Sequence, residues 1–168
     1  MQKCAHTAAS SWSSVCIANE LSPGLISYSE ATRYSADKHA DAATWCKANN
    51  KPIPQHTLYP RTKGFIATVN HLRSAAHIKA VYDVTIAYAS GSHFMSAPNI
   101  WETLSTPNMN NSWRFHVDVQ RYMLEDLPRT DEELAAWLEE RWMEKGRRLE
   151  SMRQDLVKGL PWLNITST

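Results

Sequence analysis

Val81-Tyr82-Asp83-Val84-Thr85-Ile86-Ala87-Tyr88 decides the fold. β-branched and aromatic residues dominate it, and they suit a pleated, half-buried strand. Downstream, Arg114 to Met123 alternates, with Phe115, Val117 and Val119 on one side and His116, Asp118 and Gln120 on the other. That period of two predicts a second strand. Between the strands, residues 90–112 are rich in Ser, Asn and Pro and read as a loop around Ile100-Trp101. Upstream, Leu25-Ile26-Ser27-Tyr28-Ser29 reads as a short buried strand. Ser35 is placed to cap a helix from Ala36 to Asn49. Asn49-Asn50-Lys51-Pro52 ends that helix, because proline disfavours helical geometry in the residue before it. Pro52, Pro54 and Pro60 keep the next segment extended. Phe65, Val69 and Leu72 then mark a second helix from Gly64 to about Ser74.

The last element is a long helix from Asp131 to Val157. Thr130 and Glu133 fit a capping box, and Leu134, Leu138, Trp142 and Leu149 form its apolar stripe. Acidic residues crowd its start while Lys145, Arg147 and Arg148 lie later, which complements the helix dipole. Those three cations are expected to be a solvated helix end, with lipid headgroup contact as a second use. Trp137, Trp142 and Trp162 are expected to serve packing. The order strand, helix, helix, strand, strand, helix predicts an α/β fold: a mixed sheet with flanking helices, followed by the long C-terminal helix.

The 168 residues fit one folded unit able to bury a core, with 43% hydrophobic content. A net charge of +1 argues against broad electrostatic binding of nucleic acid or anionic membrane, so anion recognition has to come from a few placed residues. Cys4, Cys16 and Cys46 are odd in number and show no zinc-like spacing, so reduced thiols are expected. No apolar run approaches the ~20 residues that cross a bilayer. Residues 1–23 are small and polar, lack an unbroken apolar stretch of the kind a secretory signal needs, and read as a poorly structured lead-in.

Two stretches carry chemistry. Glu30-Ala31-Thr32-Arg33 follows a predicted strand and precedes a helix, a place where side chains and backbone N–H groups meet anions at a sheet edge. Arg33 offers a planar fork of donors suited to phosphate, Thr32 a hydroxyl, and Glu30 a carboxylate able to hold the Arg33 guanidinium. The plain alternative is a surface ion pair at a strand end. Pro60-Arg61-Thr62-Lys63-Gly64-Phe65 sets two cations at a helix entrance, and its plain alternative is a basic turn. His39 and Asp41 point apart on a helix and make no metal site.

Read together, these blocks resemble the glycerophospholipid acyltransferases that acylate lysophosphatidic acid. In that family a Phe-Pro-Glu-Gly-Thr-Arg block precedes a Lys-containing helix, a Leu-Pro-x-Leu-like segment and Pro-Arg-Thr-Lys-Gly-Phe. Ser29 to Arg33, Lys38, Pro52-Ile53-Pro54, Leu58-Tyr59-Pro60 and Arg61 to Phe65 fall in matching places. Lys79 to Thr85 is similar to the family's Ala-Ile-Tyr-Asp-Val-Thr strand, Arg114 to Val119 to its later strand, and Leu127-Pro128 with Ala136-Trp137-Leu138 to its C-terminal region. The likeness covers about residues 24–150.

The resemblance implies acyl transfer from acyl-CoA, a co-substrate and no resident cofactor, to the free hydroxyl of lysophosphatidic acid, giving phosphatidic acid. It implies lysophospholipid and acyl-CoA as partners and the endoplasmic reticulum membrane as the setting, while the net charge is what leaves no nucleic acid expected. It assigns Glu30, Thr32, Arg33, Arg61, Thr62 and Lys63 to substrate binding. It divides the chain into 1–23, a core portion over 24–90 and a C-terminal region over 91–168. Two departures matter. The family's His-x-x-x-x-Asp has no counterpart, since none of the seven histidines has Asp five positions on, so these residues are expected to be inactive alone. Ala31 stands where the family has glycine, which is expected to be tolerable in a right-handed turn. A different class of reading is a non-catalytic module that binds phospholipid headgroups or a partner through Arg33, Arg61 and Lys63.

Overall fold

A computed structural model describes residues 25–95 and 97–162; the expected lead-in over 1–23 lies outside them, as do Cys4 and Cys16. The elements are α1 (Ala36–Ala48), α2 (Thr62–Leu72), β1 (Ala80–Ser90), β2 (His93–Phe94), α3 (Ile100–Ser105), a 3-10 turn (Met109–Asn111), β3 (Trp113–Met123) and α4 (Asp131–Val157). Local chemistry explains their limits. The Ser35 hydroxyl accepts from the Lys38 N–H to open α1, and the Thr130 hydroxyl accepts from the Glu133 N–H to open α4. Asn99 and Glu102 form a capping box on α3, inside what the sequence suggested was plain loop.

β1 and β3 pair antiparallel along their whole length, from Ala80↔Met123 to Ser90↔Trp113. β2 adds only Ala89↔Phe94 and Ser90↔His93, so the order is β2-β1-β3. The α/β class holds, with helices packed on a sheet. The expected strand over Leu25–Ser29 does not form: Leu25 and Ile26 are exposed and make no strand pairing. Apolar, β-branched content supplies strand propensity, but a strand needs a paired edge, and the sheet therefore has no parallel pair among the described residues.

α4 packs across one face of the sheet in two apolar clusters. Phe65, Val69, Leu124, Leu127, Leu134 and Leu138 form the first, with Trp137 and Trp142 against it. Ala87, Leu149 and Met152 form the second, flanked by Phe94 and Trp162. The three tryptophans thus serve packing, as expected.

Between the clusters lies a polar seam that overturns the expectation of a solvated cationic helix end. Lys145 is 8% exposed. Its ammonium pairs with Asp83 of β1 and donates to the Val84 carbonyl at 2.9 Å. Arg148 pairs with Asp118 of β3 and with Glu144, and Arg141 pairs with Glu144. Arg147, lying between Lys145 and Arg148, is exposed. Positions 145 and 148 share the helix face that meets the sheet, whereas 147 points away. The side of β1 carrying Val81, Asp83, Thr85 and Ala87 and the side of β3 carrying His116, Asp118 and Gln120 face α4, and the alternate, mostly apolar residues face outward. Tyr82 (60%), Val84 (45%), Ile86 (50%), Phe115 (46%), Val117 (56%) and Val119 (52%) remain accessible.

Candidate functional site

The two chemical blocks meet through their backbones. The Arg61 N–H donates to the Ser29 carbonyl at 2.8 Å, which ties the entrance of α2 to the turn before α1. That turn closes with the Ala31 N–H donating to the Tyr28 carbonyl at 2.9 Å. Ser29 and Pro60 are buried, so the junction is a packed one.

Glu30 and the cations part company here. The Glu30 carboxylate turns inward and accepts from the Trp142 indole N–H of α4 at 3.1 Å. Burial pushes this carboxyl above the usual carboxylate range, while the Leu58 backbone N–H, the Trp142 indole and the Lys145 ammonium pull the other way. The expectation that Glu30 holds the Arg33 guanidinium therefore gives way to a different partner; among the described residues Glu30 makes no salt bridge. Arg33, Arg61 and Lys63 are exposed, and none of the three side chains is in an ion pair with a described carboxylate. Thr32 accepts from the Lys38 ammonium, which adds a fourth cation beside the turn. Thr62 is half-buried at the first position of α2.

Tyr88, near the end of β1, joins this group. Burial raises its phenol above the ordinary tyrosine range, the nearby Arg33 charge opposes that, and Glu30 reinforces it. Tyr88 thus lies within electrostatic reach of Arg33 and Glu30. His39, by contrast, places Nε2 3.0 Å from the Pro54 carbonyl oxygen, a structural contact. Trp142, Tyr88, Lys145 and the Leu58 N–H were not legible as site neighbours in the sequence. The only available hint was Trp142 on the apolar stripe that would face the sheet.

Ala31 corrects a second expectation. Its φ is 57°, in the left-handed region, so the right-handed turn in which alanine was expected to be tolerable is not the one formed. A Cβ in that region crowds the following carbonyl and costs about 1–2 kcal/mol. Glycine removes the clash but loses more freedom on folding, roughly 0.5–1 kcal/mol. Ala31→Gly is therefore expected to stabilise the chain by about 0.5–1 kcal/mol, read as a higher urea midpoint with an unchanged slope. A lower midpoint would mean that the turn is not held left-handed.

Similarity to known proteins bears on this geometry. The family described as Acyltransferase C-terminus matches residues 108–155, which include β3 and most of α4. The chain is 33% identical over 125 residues to lysocardiolipin acyltransferase 1 of Gallus gallus, covering 74% of this chain and 31% of that protein. It is 36% identical over 118 residues to 1-acyl-sn-glycerol-3-phosphate acyltransferase delta of Homo sapiens, covering 69% and 28%. It is 28% identical over 131 residues to 1-acyl-sn-glycerol-3-phosphate acyltransferase 2 of Brassica oleracea, covering 75% and 30%. The chain thus spans about a third of the length of the curated relatives it matches. No solved structure matches.

Proposed function

Because the chain belongs to the lysophosphatidic acid acyltransferase family, whose C-terminal portion it matches, we propose that its Ser29–Arg33 turn and Pro60–Lys63 stretch hold the phosphate of lysophosphatidic acid or a related lysophospholipid. One observation carries this reading. The Arg61-to-Ser29 hydrogen bond brings the two blocks together, with the acid turned inward and the cations left free of carboxylates among the described residues. A dianionic phosphate meets backbone N–H groups, the Thr32 hydroxyl and the Arg33 fork without competition from an internal counter-ion.

The family's reaction joins the acceptor hydroxyl to the acyl carbonyl of acyl-CoA and expels the thiol. Attack requires a base to take the hydroxyl proton. Within these 168 residues no His is followed by Asp at the family's spacing, so this chain contributes headgroup positioning, and the proton-transfer step is assigned to none of its residues. Positioning supports catalysis by holding the hydroxyl at a fixed distance from the acyl carbon. The family setting is a membrane of the endoplasmic reticulum; among the described residues no helix is long and apolar enough to cross one.

The test is an NMR titration of the ¹⁵N-labelled chain with sn-glycerol 3-phosphate, with glycerol as control. The amides of Ser29–Arg33 and Arg61–Gly64 are expected to shift with the phosphate ester and not with glycerol. Arg33→Lys, which loses the bidentate fork, is expected to weaken binding by roughly tenfold. Shifts confined to other surfaces, or an Arg33→Lys variant that binds as well as the parent, would sink the reading. An acyl-CoA assay with lysophosphatidic acid is expected to give no phosphatidic acid; product would overturn the assignment of the chain to positioning alone.

A further inference from the structure

We infer that Trp142 is a positioning residue for the phosphate-binding turn, acting through its indole hydrogen bond to Glu30. The inference rests on the headgroup reading above and adds to it what the C-terminal helix does for that site.

Glu30 lies in the turn closed by Tyr28 and Ala31, between the buried Ser29 and the exposed Arg33. Its carboxylate makes no salt bridge among the described residues and is held from two directions. The 51–60 segment supplies the Leu58 N–H, and α4 supplies the Trp142 indole at 3.1 Å with the Lys145 ammonium near by. Leu58 is itself buried. Trp142 is fixed in turn, because its ring packs on the first apolar cluster and the Lys145 ammonium lies 4.5 Å from its centroid. The turn is therefore anchored from behind by a side chain that reaches no solvent-facing cation.

Such an anchor matters for a left-handed turn. Ala31 holds a φ of 57°, which alanine adopts only when neighbours over-determine it. Releasing Glu30 lets the turn relax toward a right-handed geometry and swings the Arg33 backbone. A donor fork presented in advance binds more tightly than one that has to be ordered on contact. The residue that orders the N-terminal block thus belongs to α4, within the region matched by the C-terminus family.

The experiment uses the whole 168-residue chain with sn-glycerol 3-phosphate as probe. Trp142→Phe keeps an aromatic ring in the packing and removes the N–H donor. Its expected effect is binding weaker by about tenfold, because the turn then has to be ordered on contact with the phosphate, with a thermal midpoint only a few degrees lower, since Glu30 loses one donor. A second readout needs no ligand. The Trp142 indole ¹H–¹⁵N signal is expected to move with pH as Glu30 takes up its proton, and Glu30→Gln is expected to abolish that movement. Unchanged affinity in Trp142→Phe, with block amides still shifting in the parent, overturns the inference and leaves the headgroup reading standing. No shift of the block amides in the parent overturns the headgroup reading and the inference with it. An indole signal that ignores Glu30→Gln removes the contact itself, even if Trp142→Phe fails to fold.

Discussion

Lys145→Met is expected to destabilise the chain by about 3–5 kcal/mol, the cost of breaking a buried ion pair by removing one partner. Methionine keeps an apolar stem while removing the charge, and with it the ammonium's contact with the Trp142 ring. Asp83 is then left as a carboxylate whose side chain is 11% exposed, with no cation to meet it, and the Val84 carbonyl loses its 2.9 Å donor. Denaturant unfolding followed by tryptophan fluorescence measures the loss. The double variant Lys145→Met with Asp83→Leu is expected to recover most of it, because replacing both buried charges by apolar groups removes two desolvation costs together with one attraction. Arg147→Ala is the internal control: that side chain is exposed and outside every ion pair described, so its effect is expected within about 0.5 kcal/mol. A Lys145→Met variant as stable as Arg147→Ala would show that Lys145 and Asp83 are solvated after all.

The contrast between Lys145 and Arg147 also shows what the sequence made legible. Much that is governed by neighbours a few residues apart could be read: the Ser35 and Thr130 caps, the limits of α1 and α4, and the alternation of β3, although the equally local Asn99–Glu102 capping box was not. Alternation defines two faces of a strand but not which of them is packed. Here the side carrying His116, Asp118 and Gln120 meets α4, and the side carrying Phe115, Val117 and Val119 stays open. Choosing between them requires knowing that Asp83 and Asp118 lie opposite Lys145 and Arg148, pairings made between separate elements of the fold. The same limit hid the Glu30–Trp142 contact, whose partners are 112 residues apart. The Ser29–Arg33 and Pro60–Lys63 blocks were recognisable as an ordered set resembling a family. Which of their side chains face solvent and which face the core became readable only with Leu58, Tyr88 and Trp142 in place.

Gly146→Ala sets two physical effects against each other inside one helix. Helix propensity alone favours alanine by about 1 kcal/mol at an interior position of α4. Packing opposes it, because a Cβ on Gly146 would lie 2.8 Å from both the N and the O of Gln55 and 3.4 Å from its Cα. These are backbone atoms, so no rotamer change relieves the overlap. Nor is the Gln55 segment free to retreat. Pro54 is buried, and its carbonyl oxygen lies 3.0 Å from His39 Nε2. His56, on the other side, sits at φ 60° with Nε2 2.7 Å from the Glu150 carboxylate of the same helix. Overpacking of this kind costs about 1–3 kcal/mol in a site able to shift, and more in one that is held on both sides. Packing therefore outweighs propensity, and Gly146→Ala is expected to destabilise by about 2 kcal/mol net. Gly64→Ala on α2 supplies the matched comparison: a Cβ added there would meet nothing within 4 Å, so the propensity gain of about 0.5–1 kcal/mol should appear undiminished. Urea midpoints of the two variants should move in opposite directions. If both rise, the 54–56 segment yields to the helix and is not held on both sides by the His39 and Glu150 contacts.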